Sequence, residues 1–168
     1  MNTLFSHVCV VTMDERMSVW TDAFVGVTDG KISYLSKHAP EEKPAQIIDA
    51  TGMVLMPGLI NCHTHLPMQL LRGYADDLKL QEWLNDYIFP REDRLDGRCV
   101  RAATTLAVAE CLKFGVTSVS DMYYFCDDIC DVIAKSGMKA NISRGTSMFL
   151  GDDFDFEKFP ACQELVAL

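Results

Sequence analysis

The chain is poor in the features that mark membrane, secreted and nucleic-acid-binding proteins. No apolar run approaches the ~18 residues that a membrane helix needs, and the first residues carry neither the basic start nor the long apolar stretch of a secretory signal. A cytoplasmic protein with no membrane partner is the expectation. Positive charge is scarce: 15 Lys and Arg stand against 24 Asp and Glu in 168 residues, a net charge of -9. Affinity for a phosphate backbone comes largely from Lys and Arg, so this balance argues against nucleic acid as a partner and leaves a small-molecule substrate or protein contacts. Disulfide spacing is missing too. Cys9, Cys62, Cys99, Cys111, Cys126, Cys130 and Cys162 are odd in number and scattered, and without an export signal they read as free thiols. Cys126 and Cys130 stand one helical turn apart, but no second zinc-ligating pair follows, and a plain helix face accounts for them. Histidine is scarce as well, with four residues and none after His65.

What is present is a globular composition, 49% apolar and 23% charged, arranged in two patterns. Residues 1–57 read as β structure. Residues 8–11 form a short apolar run. Residues 23–27 and 32–35 flank Thr28-Asp29-Gly30-Lys31, and Asp-Gly between two β-rich runs marks a type I′ hairpin, because both central residues need positive φ. A loop over residues 38–45 leads to two more strands, at 46–49 and 53–56, around Thr51-Gly52. So many short strands suggest part of a small β-sandwich. His7 and His38 fall in this segment, at its surface.

Residues 58–168 alternate strands with helices. Strands at 59–61, 115–120 and 138–143 point to βαβ units and a parallel sheet. The clearest helix runs from Gly97 to Phe114: Val100, Ala103, Ala107, Cys111 and Phe114 share one face, Arg98, Arg101 and Thr105 lie opposite, and Asp96 and Gly115 cap the ends. Residues 128–135 form a second helix closed by Ser136-Gly137, and residues 157–168 begin a third.

Chemistry concentrates in Pro57-Gly58-Leu59-Ile60-Asn61-Cys62-His63-Thr64-His65. Side chains on a strand alternate faces, so His63 and His65 point the same way, and two converging imidazoles suit a divalent metal at ~2.0–2.1 Å from each nitrogen. At the C-terminal end of a barrel strand the pair would lie where such barrels keep their active sites. An exposed edge strand that happens to carry two histidines is the other reading.

The run from Gly52 to His65 resembles the first barrel strand of the amidohydrolase superfamily, in which a Pro-Gly turn leads from β-sandwich residues into an HxH metal pair. The hairpin at Asp29-Gly30 is similar to that family's N-terminal β segment. Leu80-Gln81-Glu82-Trp83-Leu84-Asn85-Asp86-Tyr87-Ile88-Phe89-Pro90-Arg91-Glu92 resembles the Trp-Leu…Pro-x-Glu segment of the 5-methylthioadenosine/S-adenosylhomocysteine deaminase and chlorohydrolase branch. The resemblance spans nearly the whole chain. It implies an α/β fold, the N-terminal portion of a (β/α)8 TIM-like barrel over residues 58–168, preceded by part of a small β-sandwich over residues 1–57.

It also implies roles. His63 and His65 would ligate one divalent metal, Zn2+ or Fe2+. Glu92 would bind substrate through ribose hydroxyls, Arg144 would meet a carboxylate such as a homocysteine tail, and Trp83 would line the pocket. From the residues alone, Glu92 reads first as part of the solvated charge cluster Arg91-Glu92-Asp93-Arg94, and the other readings are a plain strand-end charge for Arg144 and a core residue on an amphipathic turn for Trp83. Asp121, ending the second barrel strand, either faces the site or makes structural hydrogen bonds.

The chain departs from the family after that. The further histidines, the aspartate and the proton-shuttling Glu that such a site uses find no match, and residues 59–168 suffice for about three or four βα units where a barrel takes on the order of 250 residues. The barrel is therefore expected to be incomplete, the chain to be part of a longer enzyme, and the catalytic acid–base groups to lie downstream. For the intact protein the resemblance implies a metal-dependent hydrolase of non-peptide C–N bonds that deaminates an adenosine-type nucleoside, and a homo-oligomer. Hydrolysis of an s-triazine or guanine-type amino- or chloro-heterocycle is the alternative within the same chemistry. An inactive fragment or a non-enzymatic binding module is the alternative outside it.

Overall fold

The computed structural model describes residues 1–145, 155, 157–159 and 161–163. They fall into two compact units, Met1–Pro57 and Gly58–Leu168.

The first unit is one five-stranded sheet: β1 (Thr3–Val11), β2 (Val19–Thr28), β3 (Lys31–Ser36), β4 (Gln46–Asp49) and β5 (Val54–Leu55). β1 is longer than the apolar run at residues 8–11 suggests, because Leu4 and Ser6 continue the buried side of the alternation that Val8 and Val10 carry. Its N-terminal half pairs in parallel with β4 and its C-terminal half with β5. β2 and β3 form the hairpin expected from Asp29-Gly30, whose φ values are 49° and 73°, as a type I′ turn requires. His7 sits at a bulge in β1 with φ 58° and bonds the exposed Asp22 at 3.0 Å.

In the second unit β6 (Leu59–Thr64) leads through a 3₁₀ turn, Leu66–Leu71, to a helical segment, α1 (residues 80–92), and then to α2 (Gly97–Lys113). β7 (Val116–Tyr123), α3 (Cys126–Ser136) and β8 (Lys139–Arg144) follow. The three strands are parallel and lie in chain order, β6-β7-β8. Val119 and Tyr123 of β7 pack into one core with Val100, Ala107 and Val108 of α2 and Ile129 and Ile133 of α3. Both crossover helices thus cover the same face of the sheet, the winding of a barrel rather than of a doubly wound sheet. Among the described residues three strands are present and closure is not reached. No helix of the described residues is long and apolar enough to cross a membrane.

α2 starts where Asp96 accepts the Cys99 N–H at 2.8 Å, and it ends before Gly115, whose φ of 79° only glycine adopts cheaply. Val100, Ala103 and Ala107 are buried as the 3.6-residue period demands, whereas Phe114 is 71% exposed. Phe114 is the C-cap, with φ -98° and ψ 14°, so it has left the helical register and lies beside Lys113 instead of the core. Thr104 and Val108 fill the buried face in its place. α3 begins two residues earlier than expected and ends at Gly137, as expected. The helix expected over residues 157–168 lies largely outside the described residues.

The 3₁₀ turn is fastened to α2 by charge. Arg72 forks onto the Glu110 carboxylate, with Nη1 donating at 2.8 Å and Nη2 bonding the second oxygen, and Gln69 donates to Glu110 at 2.6 Å. These bonds hold the Glu110 carboxyl at about 2, below its ordinary 4.5. A depressed carboxyl pKa stabilises the folded state above the unfolded-state value, and that contribution is lost as pH falls through the folded value. Glu110→Gln is expected to unfold at lower urea concentration than the wild type near neutral pH, with the gap closing as pH drops from about 4.5 to 2. A gap that stays constant over that range would assign the loss to something other than the ionised carboxylate.

Candidate active site

The residues singled out in the sequence gather at the C-terminal ends of the parallel strands. β6 slips register against β7 between Asn61 and Thr64, so a bulge carries Cys62 and His63. The rings of His63 and His65 stand edge to face with centroids 5.0 Å apart. His65 Nδ1 lies 2.7 Å from the carbonyl oxygen of Met122. A carbonyl only accepts, so Nδ1 carries a proton, and in the neutral ring Nε2 is the nitrogen that keeps its lone pair. Thr64 faces the other way. Its hydroxyl donates to Asp121 Oδ1 at 2.7 Å, and the Leu66 N–H donates to the same oxygen at 2.7 Å. Asp121 is 1% exposed; burial pushes its carboxyl pKa up, and these two bonds pull against that.

α1 supplies the next wall. It is α-helical at Leu80–Glu82 and Phe89–Glu92, and between them Trp83–Ile88 is wound as a π-helix, with Phe89 N–H bonded to the Leu84 carbonyl. Pro90 explains the wider turn, since its ring crowds the carbonyl four residues back and it has no N–H to give. The winding has a positional effect. On an unbroken α-helix, Trp83 and Glu92 would sit about half a turn out of phase. Here both line one pocket of about 210 Å³, together with His65, Met122 and Tyr123.

Within that pocket Glu92 is half-buried and accepts the Tyr123 hydroxyl at 2.7 Å through Oε1. Burial, and secondarily this carboxylate, push the Tyr123 phenol pKa well above its ordinary value. A wider cleft of about 850 Å³ adjoins, lined by Glu92, Tyr124 and Arg144. The Arg144 guanidinium lies over the Tyr124 ring at 4.5 Å, and its Nη1 donates to the Gly145 carbonyl at 2.7 Å.

His65, Trp83 and Glu92 therefore share one pocket, and Arg144 joins Glu92 in the next. His63 adjoins His65 but opens with it onto a shallower recess beside Arg72 and Glu110. Cys126 is buried at the start of α3, and Cys130 is half-buried one turn on. Sequence reasoning missed Tyr123, Tyr124 and the Met122 carbonyl. Their signal was position: they directly follow Asp121 at the C-terminal end of a barrel-type strand.

The histidine pair suits zinc. Its donors are imidazole nitrogens, the Met122 carbonyl holds the His65 proton on Nδ1 so that the neutral ring offers Nε2, and ring centroids 5.0 Å apart match two nitrogens meeting one tetrahedral ion at ~2.0–2.1 Å. Among the described residues no third His, Cys, Asp or Glu joins them.

Known proteins are similar to this chain in sequence and in fold. A 5'-deoxyadenosine deaminase of Methanosarcina acetivorans is 40% identical over 142 residues, 84% of this chain and 33% of its own. A 5-methylthioadenosine/S-adenosylhomocysteine deaminase of Pelotomaculum thermopropionicum is 39% identical over 147 residues, 86% of this chain and 34% of its own. The crystal structure of an adenosine deaminase from Xanthomonas campestris, with zinc bound, superposes with a TM-score of 0.75 at 36% identity over 83% of this chain and 33% of that one. The chain thus spans about a third of the length of the curated relatives it matches. The model of the amidohydrolase family matches residues 54–153, which include the histidine pair, Trp83, Glu92, Asp121 and Arg144, and the chain belongs to that family.

Proposed function

We propose that this chain carries part of the active site of a zinc-dependent hydrolytic deaminase acting on an adenosine-type nucleoside, built on a (β/α)8 barrel. The observation that carries the reading is the His63–His65 pair, with Nε2 of His65 left as a donor beside a pocket walled by Trp83 and Glu92. The deaminase relatives support it. Zinc in such a site supplies an activated water at near-neutral pH for attack on the ring carbon that bears the amine.

The roles of this chain's residues follow from their chemistry. His63 and His65 offer two ligands where a catalytic zinc uses at least three from protein, and the remaining ligands and the proton-moving carboxylate would come from outside the described residues. Glu92 has one oxygen engaged by Tyr123 and a second that suits a ribose hydroxyl. Trp83 offers a flat apolar face. Arg144, already braced on Tyr124, presents a planar fork to a carboxylate on the 5' substituent.

Ammonia release should be assayed with the zinc-loaded protein on 5'-deoxyadenosine, 5'-methylthioadenosine, S-adenosylhomocysteine, guanine and an amino-s-triazine. Turnover is expected for the adenosine-type nucleosides. His63→Ala and His65→Ala are expected to lose more than the ~10–100-fold that removal of an outer-shell metal partner costs. No ammonia from any nucleoside would sink the deaminase reading, and turnover of guanine or the triazine alone would move it to the other substrate class. Glu92→Gln keeps an acceptor for Tyr123 but loses the charge. Its kcat/KM on nucleosides is expected to fall about 10–100-fold, the worth of a hydrogen bond to a charged group, and steady-state kinetics with wild-type values would remove Glu92 from the site.

A further inference from the structure

A metal ligand at the junction of a strand and a turn has no rigid element to aim it, and His65 stands at such a junction, with φ -132° and ψ 74°, between β6 and Leu66–Leu71. We propose that Asp121 is the positioning residue for His65: a single buried carboxylate oxygen ties both chain neighbours of that histidine and so locks its imidazole against β7. The inference rests on the reading of His65 as a zinc ligand.

Three bonds of 2.7 Å make the clamp. Asp121 Oδ1 accepts from Thr64 Oγ1 on one side of His65 and from the Leu66 N–H on the other, and the Met122 carbonyl accepts from His65 Nδ1. Residues 64, 65 and 66 are thus held by two consecutive residues of β7. The pairing of Thr64 with Asp121 is also where the β6–β7 register resumes after the bulge, so the clamp sets the height at which the histidine emerges. Without it, rotation about the His65 backbone would free Nδ1 from Met122 and let the ring choose either tautomer.

Stability alone does not explain this carboxylate. Asp121 is 1% exposed, and its Oδ2 is buried without a hydrogen-bond partner among the described residues. A buried carboxylate with an idle oxygen is a standing cost, and a neutral residue would avoid it. What the carboxylate provides in return is one oxygen that accepts two donors from a single point, and those donors flank the ligand.

The test compares Thr64→Val, Asp121→Ala and Asp121→Asn with His65→Ala. Two quantities are read on the protein: the His65 tautomer in the metal-free state, from ¹⁵N chemical shifts of the ring nitrogens, and zinc affinity by competition with a chromogenic chelator. The wild type is expected to hold the Nδ1–H form. Thr64→Val and Asp121→Ala are expected to give a tautomer mixture and about 10–100-fold weaker zinc binding, the loss typical of outer-shell partners. Asp121→Asn, which retains the oxygen, should lose less. Thr64→Val leaves the Leu66 bond in place, so it carries the test even if Asp121→Ala fails to fold. Wild-type tautomer and zinc affinity in Thr64→Val and in the folded Asp121 variants, with His65→Ala weakened, would overturn the clamp and leave the ligand reading standing. Undiminished zinc binding by His65→Ala would overturn the ligand reading and the clamp with it.

Discussion

Which face of the parallel sheet is closed decides everything else in the second unit. Strands that follow one another in chain order, joined by right-handed crossovers, must carry both helices on one side. Val119 and Tyr123 of β7, packed against Val100 and Ala107 of α2 and Ile129 of α3, are the contact that enforces it. The opposite face and the C-terminal strand ends are then left for chemistry. Every residue assigned a role lies near such an end or in α1: His63 at the close of β6 and His65 just after it, Tyr123 and Tyr124 at the close of β7, Arg144 at the close of β8.

Magnitudes separate the interactions that shape this end from those that decorate the surface. The exposed Lys135–Asp131 pair, at 3.8 Å between well-solvated side chains, is worth at most the ~0.2–1 kcal/mol of a surface ion pair. The Tyr123 hydroxyl is buried, and leaving it unpaired would cost more than that. Its bond to the Glu92 carboxylate, in the class worth about 1.5–3 kcal/mol, offsets the desolvation of both groups and ties α1 to β7. One hydrogen bond thereby stabilises the fold and sets the attitude of a pocket wall.

What could be read from the sequence was what local physics dictates. The Asp29-Gly30 hairpin was legible because few residues tolerate positive φ twice in succession. α2 was legible from its caps and period, except at Phe114, where the chain leaves the helix just before the pattern ends. The histidine pair was legible from strand alternation and sharpened by the family resemblance. The rest was not local. The 3₁₀ turn at Leu66–Leu71 and the mixed helix of residues 80–92 contain Pro67 and Pro90, which break the periodicity on which such readings depend. The Tyr123–Glu92 bond joins residues 31 apart, and no spacing rule anticipates it. Asp121 was legible as a strand-end residue, but its two donors are visible only once β6 and β7 are side by side.

The π-helical stretch over Trp83–Ile88 ties the length of α1 to its winding. Such a stretch amounts to one residue inserted into an α-helix, and it is what brings Trp83 and Glu92 to a common wall. Rewinding the same residues as ordinary helix would swing Trp83 by about 100° relative to Glu92, whereas removing one residue along with the rewinding would keep the two in phase. A common wall therefore couples two changes: the wide turn and the extra residue are kept together or lost together.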